Sequence, residues 1–146
     1  MMKKFILYLI FLVISACNYS NERESKNAIE RDILNTLNIL NIKYDSTAVY
    51  FLIPSNTCYG CSKHTINVLN EYSISKQVIV ISSDLSLSQI HLNKTKIYID
   101  KKRNIDRTIT LKEKITIYDP SNKKIKQFNQ LTIDSLQYYI KSLNHL

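Results

Sequence analysis

Cys58 and Cys61 are the residues of this chain best able to do chemistry. They are two of its three cysteines and stand three positions apart, as Cys58-Tyr59-Gly60-Cys61. On a helix, positions i and i+3 bring their Cβ atoms within about 5–6 Å, so a disulfide closes with modest adjustment. The spacing predicts a redox pair in which Cys58 faces solvent at a helix N-terminus, where the positive end of the helix favours thiolate. Cys61, a turn deeper, is then the shielded sulfur that resolves a mixed disulfide. Gly60, the only glycine in the chain, lies between the two, and its missing Cβ lets a partner's backbone approach.

Other constellations are weaker. His64 extends the pair to C-x2-C-x2-H, with His91 as a further nitrogen. The corresponding alternative is a soft-metal site for Cu(I) or Zn(II) on Cys58, Cys61 and His64, although three ligands on one helical turn rarely close a tetrahedral shell. Asp84 and Asp100 follow strand-like runs, where a carboxylate either handles protons or caps a turn. Tyr138 reads as a packing residue and Tyr139 as a surface one. No paired catalytic carboxylates, phosphate loop or Ser/His/Asp arrangement is visible, and the expected cofactor is none beyond the redox-active disulfide itself.

The elements that must position the cysteines are legible from periodicity. Ala48–Ile53 is a continuous apolar, β-branched and aromatic run ended by Pro54, the signature of a central strand covered on both faces. Ser55, Asn56 and Thr57 supply candidate caps for a helix from about Cys58 to Tyr72, with Ile66, Leu69 and Tyr72 on one face. Gln77–Ser82 is a second buried-type strand, Leu85–Leu92 a short helix, and Lys96–Asp100 a short strand or extended piece. Lys114–Asp119 and Lys124–Phe128 alternate around Asp119-Pro-Ser-Asn122, which predicts an antiparallel hairpin. Ile133, Leu136, Ile140 and Leu143 give a closing helix capped by Thr132, and Ile29, Ile33, Leu37 and Leu40 give an N-terminal one over about residues 25–42. The order leaves several three-layer α/β folds open.

The first residues read as an address. Lys3–Lys4, an apolar run Phe5–Ile14 and small Ser15–Ala16 have the tripartite form of a secretory signal. That apolar run is too short to span a bilayer as a mature helix. Ile14-Ser-Ala-Cys17 resembles a lipobox, the site at which bacterial lipoproteins are lipidated on the cysteine and cleaved before it. The expected organisation is a signal peptide at 1–16, a lipidated tether at 17–26 and one domain at 27–146. Localisation follows: the cell envelope, lipid-anchored at Cys17, with the lack of an acidic cluster after the cysteine favouring a periplasmic face.

Composition agrees with a single globular domain. The chain has 146 residues, 45% hydrophobic and 22% charged. Its formal charge is +8, and removal of Lys3 and Lys4 leaves about +6. The densest basic groups, Lys101–Lys102–Arg103 and Lys123–Lys124–Lys126, offer contact with anionic lipid headgroups or nucleic acid, but short charge runs of this kind read first as a solvated loop and a hairpin tip, and the nucleic-acid class is rejected.

Strand, Pro54, Cys58-Tyr-Gly-Cys61 and an amphipathic helix together resemble the active-site region of thioredoxin-like proteins. The stretch Ile97-Tyr-Ile-Asp100 through Ile115-Thr-Ile-Tyr-Asp119-Pro-Ser-Asn-Lys-Lys-Ile125 is similar to the second half of the TlpA and redoxin-type branch, and the likeness covers roughly residues 44–146. It implies an α/β fold, a thioredoxin-like three-layer sandwich with a central mixed sheet, here preceded by an N-terminal helix. It implies an envelope thiol–disulfide oxidoreductase acting on protein thiols and disulfides, fed by a membrane electron donor. The competing reading is a non-enzymatic lipoprotein of the same fold with a structural disulfide or a metal-delivery site. The family also places a cis-proline before the hairpin, beside the disulfide, where Glu113 or Lys114 stands in this chain. A non-proline cis bond costs about 2.5–4 kcal/mol, so a trans bond is expected, in a substrate groove of Tyr59, Gly60, Glu113 and Lys114.

Overall fold

The computed structural model describes residues 23–58, 60–72, 74–90 and 95–143. The proposed signal peptide, Cys17, most of the tether, Tyr59, His91 and Leu92 lie outside the described residues. The chain is α/β, with one five-stranded mixed sheet covered by helices on both faces.

The sheet grows from β1 (Val49–Ile53), whose five residues are all buried. β-branched and aromatic side chains favour the extended backbone, and covering on both faces requires an unbroken apolar run. β2 (Val78–Ser82) pairs parallel to β1, and β3 (Thr95–Ile99) parallel to β2. β4 (Ile115–Asp119) runs antiparallel on the other side of β1, and β5 (Lys124–Phe128) completes the hairpin, giving the order β3-β2-β1-β4-β5.

The period of two along each strand sorts the core into halves. Val49, Phe51, Ile53, Val78, Val80, Ile115 and Ile117 face α2 (Cys61–Glu71) and α4 (Leu136–Leu143). Ala48, Tyr50, Leu52, Ile79, Ile81 and Tyr118 face α1 (residues 23–39) and Ile105 of α3 (Asn104–Arg107). Ile29, Ile33 and Leu37 form the stripe that α1 buries, as their spacing predicts. Burial raises the Tyr118 hydroxyl well above its usual range, so it stays protonated and donates to Glu30 of α1. Tyr50 is likewise pushed up by burial, and its hydroxyl donates to the Asp45 carbonyl at 3.1 Å.

Several boundaries differ from the sequence expectation. The helix expected from Cys58 starts at Cys61, because Gly60, in the left-handed region at φ +83°, is its N-cap. Leu85–Gln89 is a 3-10 segment rather than an α-helix, capped by Asp84 through the Ser86 N–H at 3.0 Å. The extended piece after it is a full strand, Thr95–Ile99. Thr132 gives α4 no side-chain cap: its hydroxyl bonds back to Asn129, and a 3-10 turn, Ile133–Ser135, precedes α4. The four-residue α3 has no counterpart in the sequence expectation. Asp100 caps it, accepting from the Ile105 N–H at 2.9 Å and from Asn104 Nδ2 at 2.8 Å, which gives that buried carboxylate a structural role.

Candidate functional site

The two cysteines sit where β1 hands the chain to α2, and they are joined as a disulfide with Cα atoms 5.3 Å apart. That separation lies within the usual span for a disulfide. The Cys61 N–H donates to the Cys58 carbonyl at 3.0 Å and the His64 N–H to the Gly60 carbonyl at 2.8 Å. Cys58 therefore occupies the turn before α2, and Cys61 is its first residue. Where the spacing predicts a solvent-facing Cys58 on the helix itself, the residue is half-buried, packed against the core and one turn ahead of the helix. Cys61 is 2% exposed. The asymmetry runs in the expected sense, the first cysteine being the more reachable.

Gly60 is needed for its backbone. A Cβ built there would meet nothing within 4 Å, but φ is +83°, a conformation other L-residues adopt at a cost. The glycine thus turns the chain from the first cysteine into α2 and leaves its surroundings open.

The segment before Cys58 is held from three directions. Ser55 donates its N–H to Asp106 Oδ1 at 2.9 Å and its hydroxyl to Asp106 Oδ2 at 2.6 Å. Arg103 reaches the same carboxylate through Nε at 2.7 Å and also donates to the Ser55 hydroxyl oxygen. Burial disfavours the Asp106 charge, yet the bonds from Ser55 and Arg103 outweigh it and hold the carboxyl below its ordinary range. The Thr57 hydroxyl donates to the Pro54 carbonyl at 3.2 Å, and Asn56 Oδ1 accepts from the Glu113 N–H across a long 3.4 Å contact. Ser55, Asn56 and Thr57 thus brace the loop and make no side-chain cap on α2.

The contact to Glu113 brings the loop before β4 against the loop before the cysteines. Glu113 and Lys114 are both exposed. Among the described residues no peptide bond is cis, and Glu113 makes its turn in the left-handed region at φ +65°. Of the groove residues expected from sequence, Gly60 lies in the turn between the two cysteines and Glu113 is tethered to the loop before them. Lys114 leads into β4, its N–H donating to the Leu111 carbonyl at 3.4 Å.

His64 is half-buried on α2, and its Nε2 is buried without a hydrogen-bond partner. Among the described residues no three His, Cys, Asp or Glu side chains converge as metal ligands, so Cys58, Cys61 and His64 do not form a shell with the sulfurs bonded to each other. Asp84 and Asp100 serve as the caps described above. At the opposite end of β4, buried Asp119 accepts from Lys76 Nζ at 2.8 Å, from Ser121 and from Asn122. Burial opposes its charge, but these partners prevail and lower its pKa.

Sequence reasoning missed Asp106 and Arg103. Ser55 and Asp106 are 51 positions apart, and no local pattern links them. The one available signal was Asp100-Lys-Lys-Arg-Asn104, in which an acidic residue at a strand end announces a capped helix. Comparison with protein-family models, with curated proteins and with solved structures finds no match for this chain. No helix among the described residues is long and apolar enough to cross a membrane.

Proposed function

We propose that this chain is a thiol–disulfide oxidoreductase of the bacterial cell envelope, a thioredoxin-like domain tethered through a lipid on Cys17. The observation that carries the reading is the Cys58–Cys61 disulfide at the strand-to-helix junction, with one cysteine buried and the other half-exposed. The mixed sheet between two helical layers and the hairpin after the parallel strands support the fold assignment. The tripartite N-terminal sequence ending in Cys17 supports the anchor.

In the reducing direction, the Cys58 thiolate attacks one sulfur of a protein disulfide and expels the other as a thiolate. The Cys61 thiolate then attacks the Cys58 sulfur, closes the intramolecular disulfide and releases the second substrate thiol. The substrate gains two electrons and the pair loses two. A dithiol donor, in the cell a membrane-borne one, restores them by the same exchange. Gly60 and Glu113 border the approach to Cys58, and the trans bond at the Glu113 turn gives a groove unlike one shaped by a cis-proline.

Insulin reduction by the purified chain with dithiothreitol, compared with Cys58→Ser, tests the assignment. Turnover is expected to fall to the uncatalysed rate in the variant. Equal rates in both proteins would leave the disulfide a structural clip. Copper or zinc retained through a desalting column by the reduced chain, and lost in Cys61→Ser, would instead support the metal-delivery reading.

A further inference from the structure

We infer that the end of the sheet opposite the cysteines is a docking face for anionic lipid headgroups, an inference that rests on the lipid anchor at Cys17. A cavity of about 780 Å³ opens there between α1 and the β4–β5 hairpin. Arg23 and Lys26 of α1 and Lys123 of the hairpin line it, together with Asn27, Glu30 and Tyr118. All three cations are exposed. The acid among them, Glu30, accepts the hydrogen bond of the Tyr118 hydroxyl. Two segments about a hundred positions apart therefore bring positive charge to one concave surface.

The tether places this surface at the bilayer. Arg23 stands six positions after Cys17, a stretch that spans at most about 22 Å when fully extended. An acyl chain on Cys17 thus keeps the start of α1 close to the headgroups, where attraction of basic side chains to an anionic leaflet operates over about a Debye length, roughly 8–10 Å. Each such cation strengthens binding on the order of fivefold.

The fold then orients the redox pair. Tyr118 pairs with Tyr50 near the start of β1, and Asp119 with Lys124 beyond it, whereas Cys58 follows the end of β1 at Ile53. Cavity and cysteines lie at opposite ends of the same strands. Docking through Arg23, Lys26 and Lys123 points Cys58 away from the bilayer, toward soluble exported proteins. The other basic run, Lys101–Lys102–Arg103, lies at the cysteine end, and its Arg103 is engaged with Asp106 and Ser55.

The test is a lysine-acylation footprint of the full chain, purified from membranes and reconstituted into phosphatidylcholine vesicles with or without phosphatidylglycerol. Labelling of Lys26, Lys123 and the neighbouring Lys124 is expected to slow about fivefold or more on the anionic vesicles, to recover at high salt, and to leave Lys101 and Lys102 unchanged. In the triple variant R23Q/K26Q/K123Q, Lys124 should lose this dependence on phosphatidylglycerol. Circular dichroism of the variant checks that its fold is kept. Equal labelling of Lys26 and Lys123 on both vesicle types, with Cys17 shown to be acylated by mass spectrometry, overturns the docking face. Protection of the same lysines by inorganic phosphate without vesicles overturns it too, by assigning the cavity to a soluble anion. An unacylated Cys17 would sink the anchor alone, and lipid-dependent protection on added anionic vesicles would then still uphold the face.

Discussion

The carboxylate of Asp106 accepts both the N–H and the hydroxyl of Ser55, at 2.9 and 2.6 Å, and so fixes the chain three residues ahead of Cys58. Hydrogen bonds to a charged group are each worth about 1.5–3 kcal/mol, and leaving one partner unpaired adds a desolvation cost. Asp106→Ala should therefore lower unfolding free energy by about 2–3 kcal/mol in urea titrations. Because the folded-state pKa is depressed, the stabilisation is present above the unfolded carboxylate value, about 3.9. It is lost as pH falls through the lower folded value. The variant should accordingly show a flatter stability profile below about pH 4 than the parent; parallel profiles would argue against the bond.

Gly60 offers a cleaner backbone test. With φ at +83° and open space where a methyl group would sit, the cost of Gly60→Ala is conformational alone. The expected loss is about 1 kcal/mol, and Gly60→Asn should cost less, since Asn tolerates the left-handed region better. A loss of several kcal/mol on denaturant titration would point to a steric role that the geometry does not contain.

Glu113 is a non-glycine residue at φ +65°. Glu113→Gly should be neutral or stabilising by up to about 1 kcal/mol, because the left-handed strain disappears. Glu113→Pro should destabilise by about 3 kcal/mol or more, since the ring locks φ near −65° and removes the N–H that reaches Asn56. Thermal melts of the two variants should therefore separate widely, with only the proline variant falling well below the parent. Equal shifts would mean that the loop does not hold this turn in solution.

Leu37 is 2% exposed, packed between α1 and the sheet. If α1 belongs to the folded domain, Leu37→Ala should cost about 2–5 kcal/mol in a single cooperative transition. A change under about 0.5 kcal/mol would place α1 outside the cooperative unit.

Much of this arrangement is legible in the sequence. The apolar runs of β1 and β2 announce doubly covered strands, Ile29, Ile33 and Leu37 announce α1, and the alternation around Asp119-Pro-Ser-Asn122 announces the hairpin. Each is a local pattern tied to a period of two or 3.6. The start of α2 is misread because three good capping residues stand before Cys58, and they bond instead to Asp106, Pro54 and Glu113. α3 is too short to show periodicity. The order of the strands, the brace on Ser55 and the cavity at Arg23, Lys26 and Lys123 join segments far apart in the chain, and no local rule reports them.

A bridge between Cys58 and Cys61 encloses a very small ring of backbone, because the sulfurs belong to residues only three apart. In the chain-entropy picture so short a loop restrains the unfolded polypeptide by about 2 kcal/mol or less, against roughly 3 kcal/mol for a 15-residue loop. Breaking it therefore takes away less of what keeps the domain folded than losing a long-loop bridge would. The sheet and its two helical layers are therefore expected to stay intact when the bridge is reduced.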